Sequence, residues 1–211
     1  MARSQQKRIT VAEKQSQRLV PIVSMNIKTT TVLKHPMELV WITTRDRLPE
    51  TVPLLDDIES VKVQSREEKS DGTVNLVNVW KACPKLSAIV TSRVRPEMLA
   101  WNDHAEWLRR GFECNWRIEP HFFADRIKCS GLTRYEPAMG GRGTRITFET
   151  EIELHTRDLP GVPAVLEGAV SKAIESFVAV LIPQNFRKVA QAVGGLLDMN
   201  PAPGKAVPTK D

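Results

Sequence analysis

The most extended change in the period of hydrophobic and polar positions along this chain lies near residue 163. Before that point, short segments alternate apolar and polar residues, as β-strands with one buried face do, and turn-forming residues separate them. After it, apolar residues recur every three or four positions and predict one amphipathic helix over residues 163–198. A helix of about 35 residues spans roughly 50 Å, so it is long enough to lie across a whole sheet.

The alternating segments predict a sheet of about seven strands. Turn signals such as Ser70-Asp71-Gly72 and the glycine-rich residues 140–143 join neighbouring segments, so the strands are expected to pair antiparallel as a meander. The weakest alternation is that of residues 86–94. With this weak segment included, eight segments are strand-like: residues 26–34, 58–64, 73–81, 86–94, 98–108, 112–118, 126–135 and 146–154.

Two short helices are predicted between the first two strands. Pro36 suits the first turn of a helix whose apolar face holds Val40 and Trp41. Residues 48–55 contain two prolines and therefore allow only one or two helical turns. The predicted fold class is α+β, with an antiparallel sheet, two short helices after the first strand and one long C-terminal helix.

Pro183 lies inside the predicted C-terminal helix and is the main objection to its continuity. A proline within a helix costs about 3 kcal/mol. The apolar stripe nevertheless continues across it, and burying ten or so such side chains contributes roughly 15 to 30 kcal/mol before entropy. We therefore expect one helix with a kink near Ala179. Alanines along its inner stripe leave room for a cavity or allow close packing on the sheet, and the sequence favours neither.

The net charge of +5 belongs to the two ends of the chain. Residues 1–24 carry +4 and residues 200–211 carry +1, so residues 25–199 are formally neutral. A folded surface that binds nucleic acid would be basic, and none is expected here. No segment approaches the roughly 20 consecutive apolar residues of a membrane-spanning helix.

The chain ends are expected to lie outside the folded domain. Residues 1–24 contain one acidic residue and predict either a disordered extension or a targeting segment, and their composition is compatible with organelle import. A start at Met25 is a further alternative. Residues 200–211 are predicted to form a flexible tail.

The three cysteines lie far apart in the sequence and have no metal-ligand spacing. Cys83, Cys114 and Cys129 are expected to be buried structural thiols, because free cysteine behaves as a small hydrophobic residue. An odd number of cysteines without a signal peptide favours a reducing, cytoplasmic location.

The order of elements and one stretch of text resemble the START-like, or helix-grip, superfamily. The text is VLKHPMELVW followed by RDRLPETVPLLDDIESV, at residues 32–41 and 45–61, and it is similar to the opening of polyketide-cyclase-like and coenzyme-Q-binding-like members. The resemblance covers residues 26–198. It implies a curved sheet that wraps around the long helix, and a START-like ligand-binding domain over residues 25–199.

The resemblance also implies an apolar cavity between the sheet and the helix. Such a cavity would bind or carry a hydrophobic small molecule, such as a lipid, an isoprenoid or a polyketide-like compound. The alternatives are a polyketide cyclase- or dehydratase-like enzyme and a co-chaperone-like interaction module. The candidate ligand-binding residues are Trp80, Leu99, Trp101, Asp103, Trp116, Phe148, Phe177, Leu181 and Phe186.

Asp103 is the polar residue among these candidates. It has the same strand parity as Trp101 and Trp107, so it points inward if the strand is regular. A bulge that turns it outward, or an ion pair with Arg93, Arg95 or Arg117, is the alternative, and the sequence favours that alternative. An inward carboxyl would have a raised pKa and would bind a ligand hydroxyl or act as a general acid.

No catalytic, metal or cofactor motif accompanies this carboxyl. The four histidines, His35, His104, His121 and His155, have no zinc-site spacing and are expected to have structural or surface positions. Three tryptophans could stack nucleobases, but their face lacks the basic residues of a single-strand binding surface. We therefore predict no cofactor and no nucleic-acid partner.

Overall fold

The computed structural model describes residues 22–83, 99–121, 124–155 and 167–199 of the chain. Within them, one sheet and two α-helices make up the fold, with short 3-10 turns between some elements. The strands are β1 (Ile22–Leu33), β2 (Ile58–Glu68), β3 (Val74–Ala82), β4 (Ala100–Leu108), β5 (Glu113–Pro120), β6 (Ile127–Ala138) and β7 (Gly143–His155). The helices are α1 (Met37–Asp46), a 3-10 helix (Leu48–Leu54) and α2 (Glu167–Met199).

The sheet is antiparallel throughout, with the strand order β1-β7-β6-β5-β4-β3-β2. Strands β2 to β7 form a meander, and β1 adds to the free edge of β7. The predicted α+β class, the number of strands and the two short helices after the first strand are confirmed. The α2 helix packs on one face of the sheet, here called the inner face, beside β1, α1 and the 3-10 helix.

Two strand boundaries differ most from the prediction. Strand β1 begins at Ile22, within residues 1–24, which were predicted to lie outside the folded domain. Its first residues belong to the sheet because they pair with the last residues of β7. Strand β2 continues to Glu68, past the predicted end at residue 64, since a register shift between Val63 and Ser65 interrupts its alternation. The predicted strand at residues 86–94 lies outside the described residues.

Helix α2 runs without a break from Glu167 to Met199, and Pro183 lies within it. The prediction of one helix that continues across the proline is therefore confirmed, while the kink near Ala179 stays a prediction. In its last turns, Gly194 and Gly195 face Leu33 and Leu54, where an added Cβ would lie 3.4 Å from each side chain. These glycines let the helix approach β1 and the 3-10 helix closely.

One half of the inner face is a closed hydrophobic core. There α1 and the last turns of α2 cover the sheet, and Trp41 is fully buried in edge-to-face contact with Trp107 and Phe112. Ala190 and Val193 of α2 are buried in the same cluster. Close packing, and not free space, is thus what the small residues provide in this part of the helix. We call this region the packed half.

Candidate functional site

The other half of the inner face contains a patch whose residues are only partly buried. Cross-strand pairing places Asp103 opposite Ile118, and Ile118 opposite Cys129, so these side chains share the inner face with the packed half. Residues one or two pairs further along the same strands are buried, whereas these retain accessible surface. The members of this inner patch are Trp101, Asp103, Trp116, Ile118, Cys129 and Phe148.

An aromatic stack connects the inner patch to helix α2. The ring of Phe148 stacks on Trp116 at 4.8 Å and on Phe186 of α2 at 4.7 Å. The Trp116 indole N–H donates to Thr133 Oγ1 at 3.2 Å, which orients its ring. Toward its N-terminus, α2 continues from Phe186 to Glu167 over roughly 30 Å. This part of the helix lies beyond its described contacts with the packed half.

Gly131 provides the space that the Trp116 ring occupies. It pairs with Trp116 on β5 and with Thr150 on β7. A Cβ at this position would collide with the backbone oxygen of Glu149 and with Cζ2 of Trp116. The absence of a side chain therefore lets the indole lie flat across β6 and reach Phe148.

Asp103 faces inward, because the β3-β4 and β4-β5 registers run through it without a bulge. The outward orientation that the sequence favoured is wrong for this regular strand. Among the proposed arginine partners, Arg117 projects from the opposite face, beside Glu119 at 3.8 Å, and the other two lie outside the described residues. Asp103 pairs with Asn78 across β3, and Trp80 is the next inner-facing residue of that strand.

Burial raises the pKa of Asp103 to about 6 from an ordinary value of 3.8, because protein surrounds the carboxyl and removes most of its hydration. The Trp80 indole N–H, the Asn78 amide and the charge of His104 oppose this shift. The Trp80 N–H nevertheless has no partner at hydrogen-bond geometry. It is therefore near enough to stabilise the carboxylate but not aligned for a full hydrogen bond.

Trp80 and Trp101 form one side of the patch. Their rings stack at 5.7 Å, and Trp80 is buried against Leu48, Val61 and Ala192. Trp101 is partly buried at the edge of this cluster. Trp80 thus belongs mainly to the core, and its polar edge is what faces Asp103.

Apart from Trp80, which lies mainly in the core, the predicted site residues fall into three groups. Trp101, Asp103, Trp116, Phe148 and Phe186 come together as described. Leu99 directly precedes β4 and is partly exposed. The side chains of Phe177 and Leu181 lie outside the described residues, so their part in the site stays a prediction.

Sequence reasoning missed three members of the site. Asn78, Ile118 and Cys129 have the correct strand parity, which the sequence did show. Whether these residues belong to the site depends on which half of the sheet helix α2 covers closely. The alternation of apolar and polar residues does not indicate where the helix packs.

The histidines and cysteines have mostly structural surroundings. His104 Nε2 lies 2.8 Å from Glu119 Oε2, and His35 Nε2 lies 3.0 Å from Asp198 Oδ1. Cys114 is buried as expected, but Cys83 is exposed because it follows the last residue of β3. Within the described parts of the chain, no three His, Cys, Asp or Glu side chains converge as a metal site would require.

Two shallow depressions, of about 410 and 430 Å³, lie on the outer face of the sheet. Charged side chains such as Lys28 and Glu149 line one of them, and His104 and Arg117 line the other. Both depressions are open to solvent and include charged side chains in their lining, in contrast to the aromatic inner patch. No described helix is both long and apolar enough to cross a membrane.

No protein-family model and no curated protein match this sequence. Solved structures with the same fold do match. The Zhui aromatase/cyclase of Streptomyces sp. R1128 aligns over 88% of this chain and 100% of its own, with 15% identity and a TM-score of 0.61. Norcoclaurine synthase of Thalictrum flavum aligns over 93% and 96%, with 11% identity and a TM-score of 0.53.

A structure of a Thermus thermophilus protein aligns over 82% of this chain and 99% of its own, with 17% identity and a TM-score of 0.56. At these identities the likeness shows the fold and not the activity. The curved antiparallel sheet, the two short helices and the long C-terminal helix, together with these matches, show that the chain has the START-like helix-grip fold.

Proposed function

We propose that this protein binds or carries a hydrophobic small molecule between the inner patch and helix α2. The main support for the proposal is that apolar side chains on the same face of the sheet differ in how deeply they are buried. Large apolar side chains are buried in the packed half and at Ile152 and Leu154 of β7. Trp116, Ile118 and Phe148 keep accessible surface although they point to the same side. Apolar surface that remains accessible on a concave inner face is typical of ligand sites.

The aromatic character of the patch indicates the class of ligand. Trp116, Phe148 and Phe186 offer stacked ring faces, and Trp101 adds another. Such surfaces favour flat or extended apolar molecules. Norcoclaurine synthase, which has the same fold, has been solved in complex with dopamine and hydroxybenzaldehyde, so the fold accommodates molecules of this size.

Enzymatic cyclisation has less support than binding. It requires two convergent ionisable groups, and Asp103 is the only inner-facing carboxyl on the described residues of β1 and β3 to β7. The pKa values of Cys129 and Tyr135 on the same face are raised by burial, so both groups are neutral at physiological pH. One carboxyl can orient a ligand but does not provide an acid and base pair.

Two measurements on the purified full-length protein test this proposal. Native mass spectrometry followed by organic extraction would reveal a co-purifying apolar molecule. Titration with N-phenyl-1-naphthylamine, a neutral probe that fluoresces in apolar surroundings, is expected to saturate at one molecule per chain with micromolar affinity. If the protein is empty and the probe gives no saturable signal, the proposal is wrong and an interaction module becomes the better account.

A further inference from the structure

Three polar groups lie together at the edge of the otherwise apolar inner patch. Asn78 and Asp103 are cross-strand partners, and Trp80 follows Asn78 on the inner face of β3. Asn78 is 3% exposed and Trp80 is 7% exposed, whereas Asp103 is only partly buried. We call Asn78, Trp80 and Asp103 the polar cluster.

The polar cluster has a donor without a hydrogen-bond partner and an acceptor that can take further hydrogen bonds. The Trp80 indole N–H is buried and has no hydrogen-bond partner. The Asp103 carboxyl is stabilised by the Asn78 amide and the nearby indole N–H, yet a carboxylate has about four lone-pair positions to fill. The indole N–H groups of Trp41 and Trp107 also have no partner, but they lie in the packed half. That of Trp80 lies beside a partly accessible patch and a carboxylate that can accept further hydrogen bonds, where a polar group of a ligand would satisfy it.

No positive charge of the protein occupies the inner side of this carboxyl among the described residues. His104, the neighbouring residue, points to the outer face, where it meets Glu119. The titratable groups that share the inner face near Asp103 are the thiols of Cys114 and Cys129 and the phenol of Tyr135, and burial raises the pKa of each. All three are uncharged at neutral pH.

The chemistry of the cluster distinguishes between possible ligand groups. An ammonium group only donates, so it would leave the Trp80 N–H unpaired. A carbonyl only accepts, so it would leave the Asp103 carboxylate without a donor, and a ligand carboxylate would repel it. A hydroxyl both donates and accepts, and it can therefore satisfy Asp103 and Trp80 at once.

We propose that the polar cluster binds an alcohol or phenol hydroxyl of an otherwise apolar ligand, which donates to Asp103 and accepts from Trp80. This inference rests on the proposed function and specifies its ligand class. The apolar body of the ligand lies over the aromatic stack, and the hydroxyl fixes its orientation. The cluster thus selects hydroxylated molecules from apolar ones of similar shape.

Matched naphthalene probes test the inference by isothermal titration calorimetry at pH 7.5. The probes are 2-naphthol, 2-methoxynaphthalene and 2-naphthylmethylamine, which present a hydroxyl, an acceptor alone and an ammonium group. We expect 2-naphthol to bind at least about tenfold more tightly than either of the others, because only it pairs both groups of the cluster.

Three variants assign this preference to the cluster. Asp103→Leu and Trp80→Phe are each expected to reduce the preference for 2-naphthol over 2-methoxynaphthalene to about twofold or less. Trp107→Phe is the control. This substitution also removes a buried indole N–H without a partner, but one that lies in the packed half, about 13 Å along β4 from Asp103. The variant should therefore keep the preference for 2-naphthol.

The possible outcomes separate this inference from the proposed function. Equal binding of 2-naphthol and 2-methoxynaphthalene would overturn the hydroxyl assignment and leave apolar binding intact. Tighter binding of the ammonium probe would overturn it in favour of a cationic ligand. If none of the three probes binds although N-phenyl-1-naphthylamine does, the hydroxyl assignment fails and the proposed function stands.

Discussion

The register of β4 makes the Asp103 side chain point inward, where burial disfavours the ionised form of its carboxyl. Regular pairing through β3, β4 and β5 leaves its side chain no other direction than inward. Its pKa, raised to about 6 from 3.8, means that the folded protein binds a proton more tightly than the unfolded chain. Stability from this group is full below about pH 4 and is lost as the pH rises through 6.

Asp103→Asn is therefore expected to stabilise the protein at pH 7.5, by as much as about 3 kcal/mol, because it removes a desolvated charge. The gain should disappear below about pH 4, where the wild-type carboxyl is protonated in both states. Urea unfolding at a series of pH values measures this difference.

Asp71→Asn provides a control of opposite sign. The Asp71 carboxylate accepts the Thr73 backbone N–H at 2.9 Å, and this hydrogen bond lowers its pKa. Its replacement should decrease stability at neutral pH and have little effect in acid. A gain for Asp103→Asn that does not vary with pH would contradict the account of the buried carboxyl.

Gly131 is the second residue whose identity the packing determines. Gly131→Ala places a methyl group into the Glu149 backbone and the Trp116 ring, and we expect a loss of about 2 kcal/mol or more from the free energy of unfolding. Gly168→Ala, where the added Cβ meets no neighbour within 4 Å, should be neutral or slightly stabilising, because alanine is the better helix former. Equal effects of the two substitutions in urea unfolding would show that Trp116 does not need this space.

At the level of elements, strand parity was readable from the sequence and the depth of burial was not. The alternation of Trp101, Asp103 and Trp107 indicated one shared face, and the register confirms it. Trp107 is nevertheless buried while Trp101 and Asp103 are partly exposed. This difference depends on where α1 and the last turns of α2 pack, which is a contact between residues distant in the sequence.

The contact of α2 with the aromatic stack is expected to contribute to both stability and binding. Phe186→Ala removes the ring that covers Phe148 and should reduce the free energy of unfolding by about 2 to 3 kcal/mol, less than a fully buried phenylalanine would. Phe186→Leu, which keeps an apolar side chain, should lose about half as much. The same variants should weaken N-phenyl-1-naphthylamine binding in the same order, and unchanged binding by Phe186→Ala would place the ligand elsewhere.

For the whole molecule, the order of elements was sufficient to predict the fold, because each strand, turn and helix has its own local signal. Function has no comparable signal, since it depends on a space that several distant segments enclose. The domain limit at residue 199 and the cytoplasmic location stay predictions, whereas β1 already begins at Ile22, before the predicted limit at residue 25. So does the part of Phe177 and Leu181 in the site.

The central claim is that an apolar ligand occupies the space over the inner patch. The most direct test compares two insertions of a large side chain by titration with N-phenyl-1-naphthylamine. Ile118→Trp fills the inner patch, while Val77→Trp adds the same side chain to the outer face, opposite His104. We expect at least a tenfold loss of affinity for Ile118→Trp and none for Val77→Trp; equal affinity of both variants and the wild type would contradict the claim.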